Sequence, residues 1–124
     1  MSYLYIILGA ALGAPLRYIV GSQFKPGPWG NFPLGTFVVN VTGCFIIGLL
    51  LEFFSERGSL SREARLFLIT GFLGSYTTFS AFGWETYDLV KVSEPLTAAA
   101  YAGLSLGVGV LAVWAGAAVA RAIG

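Results

Sequence analysis

The side chains of this chain best placed to do chemistry are neutral. Asn40 follows Thr36 by four residues, so a helix sets an amide NH2 and a hydroxyl on one face. Together they offer donors to an anion; the competing expectation for Asn40 is an interhelical hydrogen bond that holds two copies together. Phe79 and Phe82 share a face at a spacing of three. Phenyl edges carry partial positive charge and attract a small anion without trapping it, although in a simpler role the two rings face lipid or core. Tyr101 and Ser105 make a short hydroxyl track, with Gly109 one turn further on.

The run Thr70-Gly71-Phe72-Leu73-Gly74-Ser75-Tyr76-Thr77-Thr78-Phe79-Ser80-Ala81-Phe82 crowds the poor helix formers Gly71, Gly74, Ser75, Thr77 and Thr78 together. It predicts a helix break at Gly74–Thr78. A break at membrane depth frees backbone carbonyls and N–H groups to bind ions, and four carbonyls meeting between two copies would suit a small monovalent cation. The alternative is an unbroken helix whose Thr and Ser hydroxyls bond back to the preceding turn.

Other chemistries lack their parts. There is no histidine, and Cys44 is the single cysteine, so neither a His-based metal set nor an intrachain disulfide is available. No nucleophile–base pair stands out, which argues against an enzyme. A net charge of +1 gives no case for nucleic acid. Glu85 is the deepest acidic residue, expected at a pore mouth or paired with a basic residue; Asp88 reads as interfacial.

The elements that must position these groups follow from the scarcity of charge. Of 124 residues, 56% are apolar and 10% charged, where a soluble domain carries about 25% charged. The chain reads as an all-α integral membrane protein. A span needs roughly 20 apolar residues, and the charge-free windows give four helices, near 3–20, 34–54, 66–90 and 96–121, in one domain, 1–124, with membrane lipid as its solvent. Arg17, near the end of the short first window, is expected to snorkel to the headgroups. Gly27-Pro28-Trp29-Gly30 reads as a turn, Arg57 to Arg65 as a charged surface loop with Ser61 as a cap, and Pro95 as the start of the last helix. Met1–Tyr5 holds no Lys or Arg, unlike a cleaved signal.

Orientation follows the Lys/Arg imbalance between the two sides. One side carries Arg57, Arg62, Arg65 and Arg121, the other Arg17, Lys25 and Lys91. Four against three barely orients a chain, so the expectation is dual topology, with oppositely inserted copies pairing as an antiparallel dimer. If Arg17 belongs inside its helix, the split is four to two and a mild fixed orientation results. The pairs Gly9/Gly13 and Gly103/Gly107 permit close helix contact, between copies or within one.

At these residues the sequence resembles the Fluc/CrcB family of fluoride channels. Thr70–Phe82 follows the pattern T-G-F-L/C-G-G-x-T-T-F-S-T-F, Gly35-Thr36-Phe37-Val38-Val39-Asn40 follows G-T-x-x-x-N, and Gly9, Gly13, Ala14, Arg17 and Tyr18 match the first helix. The resemblance implies an antiparallel homodimer in the bacterial inner membrane with two fluoride pores. Asn40, Phe79, Phe82, Tyr101, Ser105, Thr78 and Ser80 would line the path. Thr36, Glu85 and Arg17 would lie toward a vestibule. A structural sodium ion at the dimer centre would be held by the backbone carbonyls of Gly74 and Thr77. Ser75-Tyr76, Ala81 and Gly109 depart from the pattern: the first pair stands where Gly and a small or apolar residue are usual, and the other two remove hydroxyls.

The expected function is passive fluoride export. Fluoride is small, strongly hydrated and the better hydrogen-bond acceptor, so neutral donors and ring edges replace its water, whereas a Lys or Arg in the pore would bind it too tightly to release. Two rivals remain: a small multidrug/proton antiporter, which needs a carboxylate in its first helix where this chain has none, and a non-transporting membrane scaffold.

Overall fold

The structure, a computed structural model, describes residues 1–25 and 31–124; the turn expected at Gly27-Pro28-Trp29-Gly30 lies outside the described residues. Helix α1 runs Ser2–Ser22, α2 Leu34–Glu56, α5 Phe79–Lys91 and α6 Pro95–Ile123. Between α2 and α5 lie α3, Arg62–Arg65, a π-helical stretch, Leu66–Leu73, and the single turn α4, Gly74–Tyr76. Four spans, Ser2–Ser22, Leu34–Glu56, Arg62–Lys91 and Pro95–Ile123, are long and apolar enough to cross a membrane. The protein is a multi-pass, all-helical membrane protein.

The ends of these helices are chemically marked. Gly58 leaves α2 with φ +103°, a conformation that a side chain would resist. Ser61 caps α3, its hydroxyl accepting from the Ala64 N–H at 3.1 Å. The third span therefore starts at Arg62, four residues before the charge-free window, because a cap and not the last charge fixes the first turn. Pro95 opens α6, where its missing N–H costs nothing.

Inside lipid, apolar surface alone does not drive helices together; close packing does. Glycines supply it here. A Cβ on Gly9 would lie 2.7 Å from the Phe72 backbone nitrogen, and one on Gly13 would collide with Phe72 O, so both glycines dock α1 onto the π-helical stretch. Gly48 and Gly116 do the same between α2 and α6, against the backbones of Val113 and Phe45. Gly103 and Gly107 meet nothing and face outward.

Two small buried groups result. Phe32, Leu89, Ala98 and Tyr101 form one, and Val39, Leu73 and Tyr76 the other. Large apolar residues such as Ile7, Leu106 and Trp114 stay exposed, as a surface facing hydrocarbon requires.

Candidate functional site

Within the third span the helix stops at Tyr76. Thr77 (φ −91°, ψ 160°) and Thr78 (φ −150°, ψ 123°) are extended, and α5 begins at Phe79. Thr78 then caps the new helix, its Oγ1 accepting from the Ala81 N–H at 3.2 Å, with Ser80 Oγ 3.4 Å from the same oxygen.

Asn40 on α2 holds the extended pair. Its Nδ2 donates to Thr78 O at 3.0 Å, and its Oδ1 accepts from the Thr78 N–H at 2.9 Å. The amide thus occupies both backbone groups of Thr78 and keeps one N–H unspent. Two carbonyls lose their usual helical donors as a result. The Thr78 N–H that would serve Gly74 O goes to Asn40, and the Ala81 N–H that would serve Thr77 O goes to the Thr78 hydroxyl. Oxygen donors of this kind fit a hard cation such as sodium better than they fit a soft metal. Among the described residues, no group of three His, Cys, Asp or Glu gathers as a metal site.

Asn40, Gly43, Cys44, Gly74, Thr77, Thr78 and Phe79 line a groove of about 360 Å³ whose walls carry no charged side chain. Phe79 projects from it with 82% of its surface exposed. Its ring lies 5.6 Å from that of Phe82, which in turn lies 5.1 Å from Tyr101.

A second cavity, of about 740 Å³, opens among α1, α2 and α5, with Arg17, Ser22, Thr36, Trp84, Glu85 and Asp88 on its walls. Thr78 borders both spaces. Glu85 is fixed by two hydroxyls, Thr36 Oγ1 donating to Oε2 and Tyr101 OH to Oε1, each at 2.8 Å. A carboxylate at this depth is costly to bury, and two charge-assisted hydrogen bonds offset part of that cost.

Several sequence expectations change here. Thr36 and Asn40 do not pool their donors: Thr36 gives its proton to Glu85, while Asn40 turns to Thr78. Glu85 takes the Thr36 and Tyr101 hydroxyls as partners, and among the described residues no Lys or Arg pairs with it. Tyr101 is fully buried, its proton committed to Glu85, and so is withdrawn from an open track. Ser105 stands differently: its Oγ is buried with no hydrogen-bond partner. Arg17 turns to a backbone carbonyl of the third span. It lies inside α1, half-buried, and its Nε donates to Ser75 O at 3.1 Å.

The Thr36–Glu85–Tyr101 cluster joins three different helices, and neither its spacing nor its composition announces it in the sequence. Trp84, placed on the cavity wall, carried no signal beyond its aromaticity.

The fold and site define a class: a small polytopic membrane protein whose neutral polar groups gather around an interrupted third span. The family model described as CrcB-like protein, Camphor Resistance (CrcB), matches residues 4–117, and the chain belongs to that family. It is 48% identical over 116 residues to a protein of Acidobacterium capsulatum called fluoride-specific ion channel FluC, covering 94% of this chain and 93% of that one. Proteins of the same name from Rhizobium meliloti and Solibacter usitatus are 47% and 45% identical, over 93% and 98% of this chain and 92% and 99% of theirs.

Proposed function

We propose that this chain is a fluoride-specific ion channel of the bacterial inner membrane, passing the ion passively and without a chemical step. The observation that carries the reading is Asn40, which holds the third span's extended pair and keeps one N–H free in an uncharged groove beside Phe79. The relatives of the same family, matched along nearly their whole length, bear that function in their names.

The ion enters through the larger cavity, past Arg17 and Thr36, and reaches Thr78, the residue common to both spaces. There Asn40, the Thr78 and Ser80 hydroxyls, and the edges of Phe79 and Phe82 replace its water. Ser105, whose buried hydroxyl lacks a partner, extends the donor set, and Tyr101 positions Glu85 at the inner edge of the vestibule. Fluoride is the halide best served by short, directed donors, and chloride is too large for them. The absence of Lys and Arg from the groove lets the ion leave again.

The working unit is an antiparallel homodimer. The open groove, the exposed Phe79 and the outward Gly103/Gly107 pair are the surfaces a second copy would cover; with Arg17 inside α1 the basic residues divide four to two, a mild orientation bias that antiparallel pairing has to overcome. In this assembly the interruption would lie at mid-membrane depth, where the Gly74 and Thr77 carbonyls of both copies would hold a structural sodium ion. Bound there, the ion would supply fixed positive charge where the two copies meet.

The test is efflux from liposomes containing the purified protein. Fluoride leaves and chloride is retained. Equal release of both halides overturns the reading.

A further inference from the structure

We propose that the Thr42–Tyr76 hydroxyl pair is a positioning device that sets the third span's interruption in register with α2; the inference rests on the channel reading above. Tyr76 is the last residue of α4, only 3% exposed, and its OH lies 2.7 Å from Thr42 Oγ1. Thr42 Oγ1 also lies 2.8 Å from Val38 O and 3.0 Å from Val39 O. A hydroxyl has one proton, and Thr42 spends its own on these carbonyls, so the Tyr76 O–H is the donor between the two. The ring stacks on Phe72 at 6.0 Å and packs against Val39 and Leu73, which fixes its direction.

The pair works together with Asn40. Thr42 stands two residues after Asn40 on α2, and Tyr76 two residues before Thr78. Helix α2 therefore grips the third span at two points, on either side of Thr77, the residue where the backbone leaves the helix. Thr77 itself rests on Gly43, where an added Cβ would collide with its methyl group. Helix α1 holds the stem before the break through Gly9, Gly13 and the Arg17–Ser75 bond, but from α2 Asn40 alone holds only the far side of Thr77, which leaves the Gly74 and Thr77 carbonyls free to shift along α2. A second grip removes that freedom.

The experiment measures fluoride efflux from liposomes for the full-length protein and for Tyr76→Phe, Thr42→Val, the double variant and Thr42→Ser, with amide hydrogen exchange across residues 74–80. Tyr76→Phe and Thr42→Val each slow efflux roughly five-fold, the scale of one net hydrogen bond. The double variant is no slower than either single one, because both remove the same bond, and Thr42→Ser keeps the parent rate. Exchange at Thr77 and Thr78 rises in Tyr76→Phe while α6 is unchanged. Parent-like efflux in Tyr76→Phe, multiplying losses in the double variant, or a Thr42→Ser as slow as Thr42→Val overturns the proposal. Should Tyr76→Phe fail to fold, the comparison of Thr42→Val with Thr42→Ser decides, since both leave the ring in place. If the parent protein itself releases no fluoride, the channel reading falls, and exchange alone judges the grip: unchanged exchange at Thr77 and Thr78 overturns it.

Discussion

Asn40 and Thr78, 38 residues apart, share two hydrogen bonds through which one side-chain amide takes the place of a backbone partner. The third span can be extended at this point because the groups that a helix would have satisfied are satisfied from α2. Where hydrocarbon offers no water, an unpaired peptide costs several kcal/mol, so the interruption and the asparagine stand or fall together.

Asn40→Leu should therefore do more than remove a donor from the fluoride path. It leaves both backbone groups of Thr78 unpaired, each at about 1 to 3 kcal/mol. Fluoride efflux is expected to fall at least tenfold, and amide exchange at Thr78 to rise. Parent-like efflux in this variant would contradict the assigned role.

Ser105→Ala should separate stability from function. The serine Oγ is buried and unpartnered, so its removal relieves a desolvated group and raises stability by up to about 1 kcal/mol. Fluoride efflux falls several-fold because a donor has gone. Thermal denaturation in detergent and liposome efflux measure the two effects on the same preparations. Lower stability with unchanged efflux would make Ser105 a structural residue.

Tyr101→Phe removes one of the two hydroxyls on Glu85 and leaves Oε1 unserved. Side-chain hydrogen bonds within membrane proteins average about 0.6 kcal/mol, and a charged acceptor moves the figure toward about 1.5 kcal/mol. A measurable drop in thermal stability is expected, with Thr36→Val giving a similar one and the double variant less than their sum. Strict additivity would show that the two hydroxyls do not act on one carboxylate.

Gly13→Ala and Gly103→Ala should part company although both pairs have the same spacing. A Cβ on Gly13 collides with the Phe72 carbonyl, whereas one on Gly103 meets nothing. The first substitution pushes α1 off the third span and lowers the folded yield sharply. The second leaves the fold of the single chain intact and gains about 1 kcal/mol of helix propensity. Size-exclusion profiles of the two variants compare them directly.

The scarcity of charge indicates four apolar spans, because Lys, Arg, Asp and Glu are costly in hydrocarbon, but it does not fix their ends: a cap starts the third span at Arg62 and Arg17 lies inside the first. Local chemistry likewise put Ser61 and Pro95 at helix starts and located the poor helix formers around Thr77 and Thr78. What each polar group spends its donors on was decided only by tertiary structure. A spacing of four places Thr36 and Asn40 on one face, but Thr36 meets Glu85 from α5 while Asn40 meets the backbone of Thr78. Arg17 bonds to the carbonyl of Ser75, which is open because the helix within the third span ends one residue later, at Tyr76. Helical periodicity states which residues share a side; it carries no information about which neighbour that side will face, and in a medium without water the neighbour determines what each group can bind.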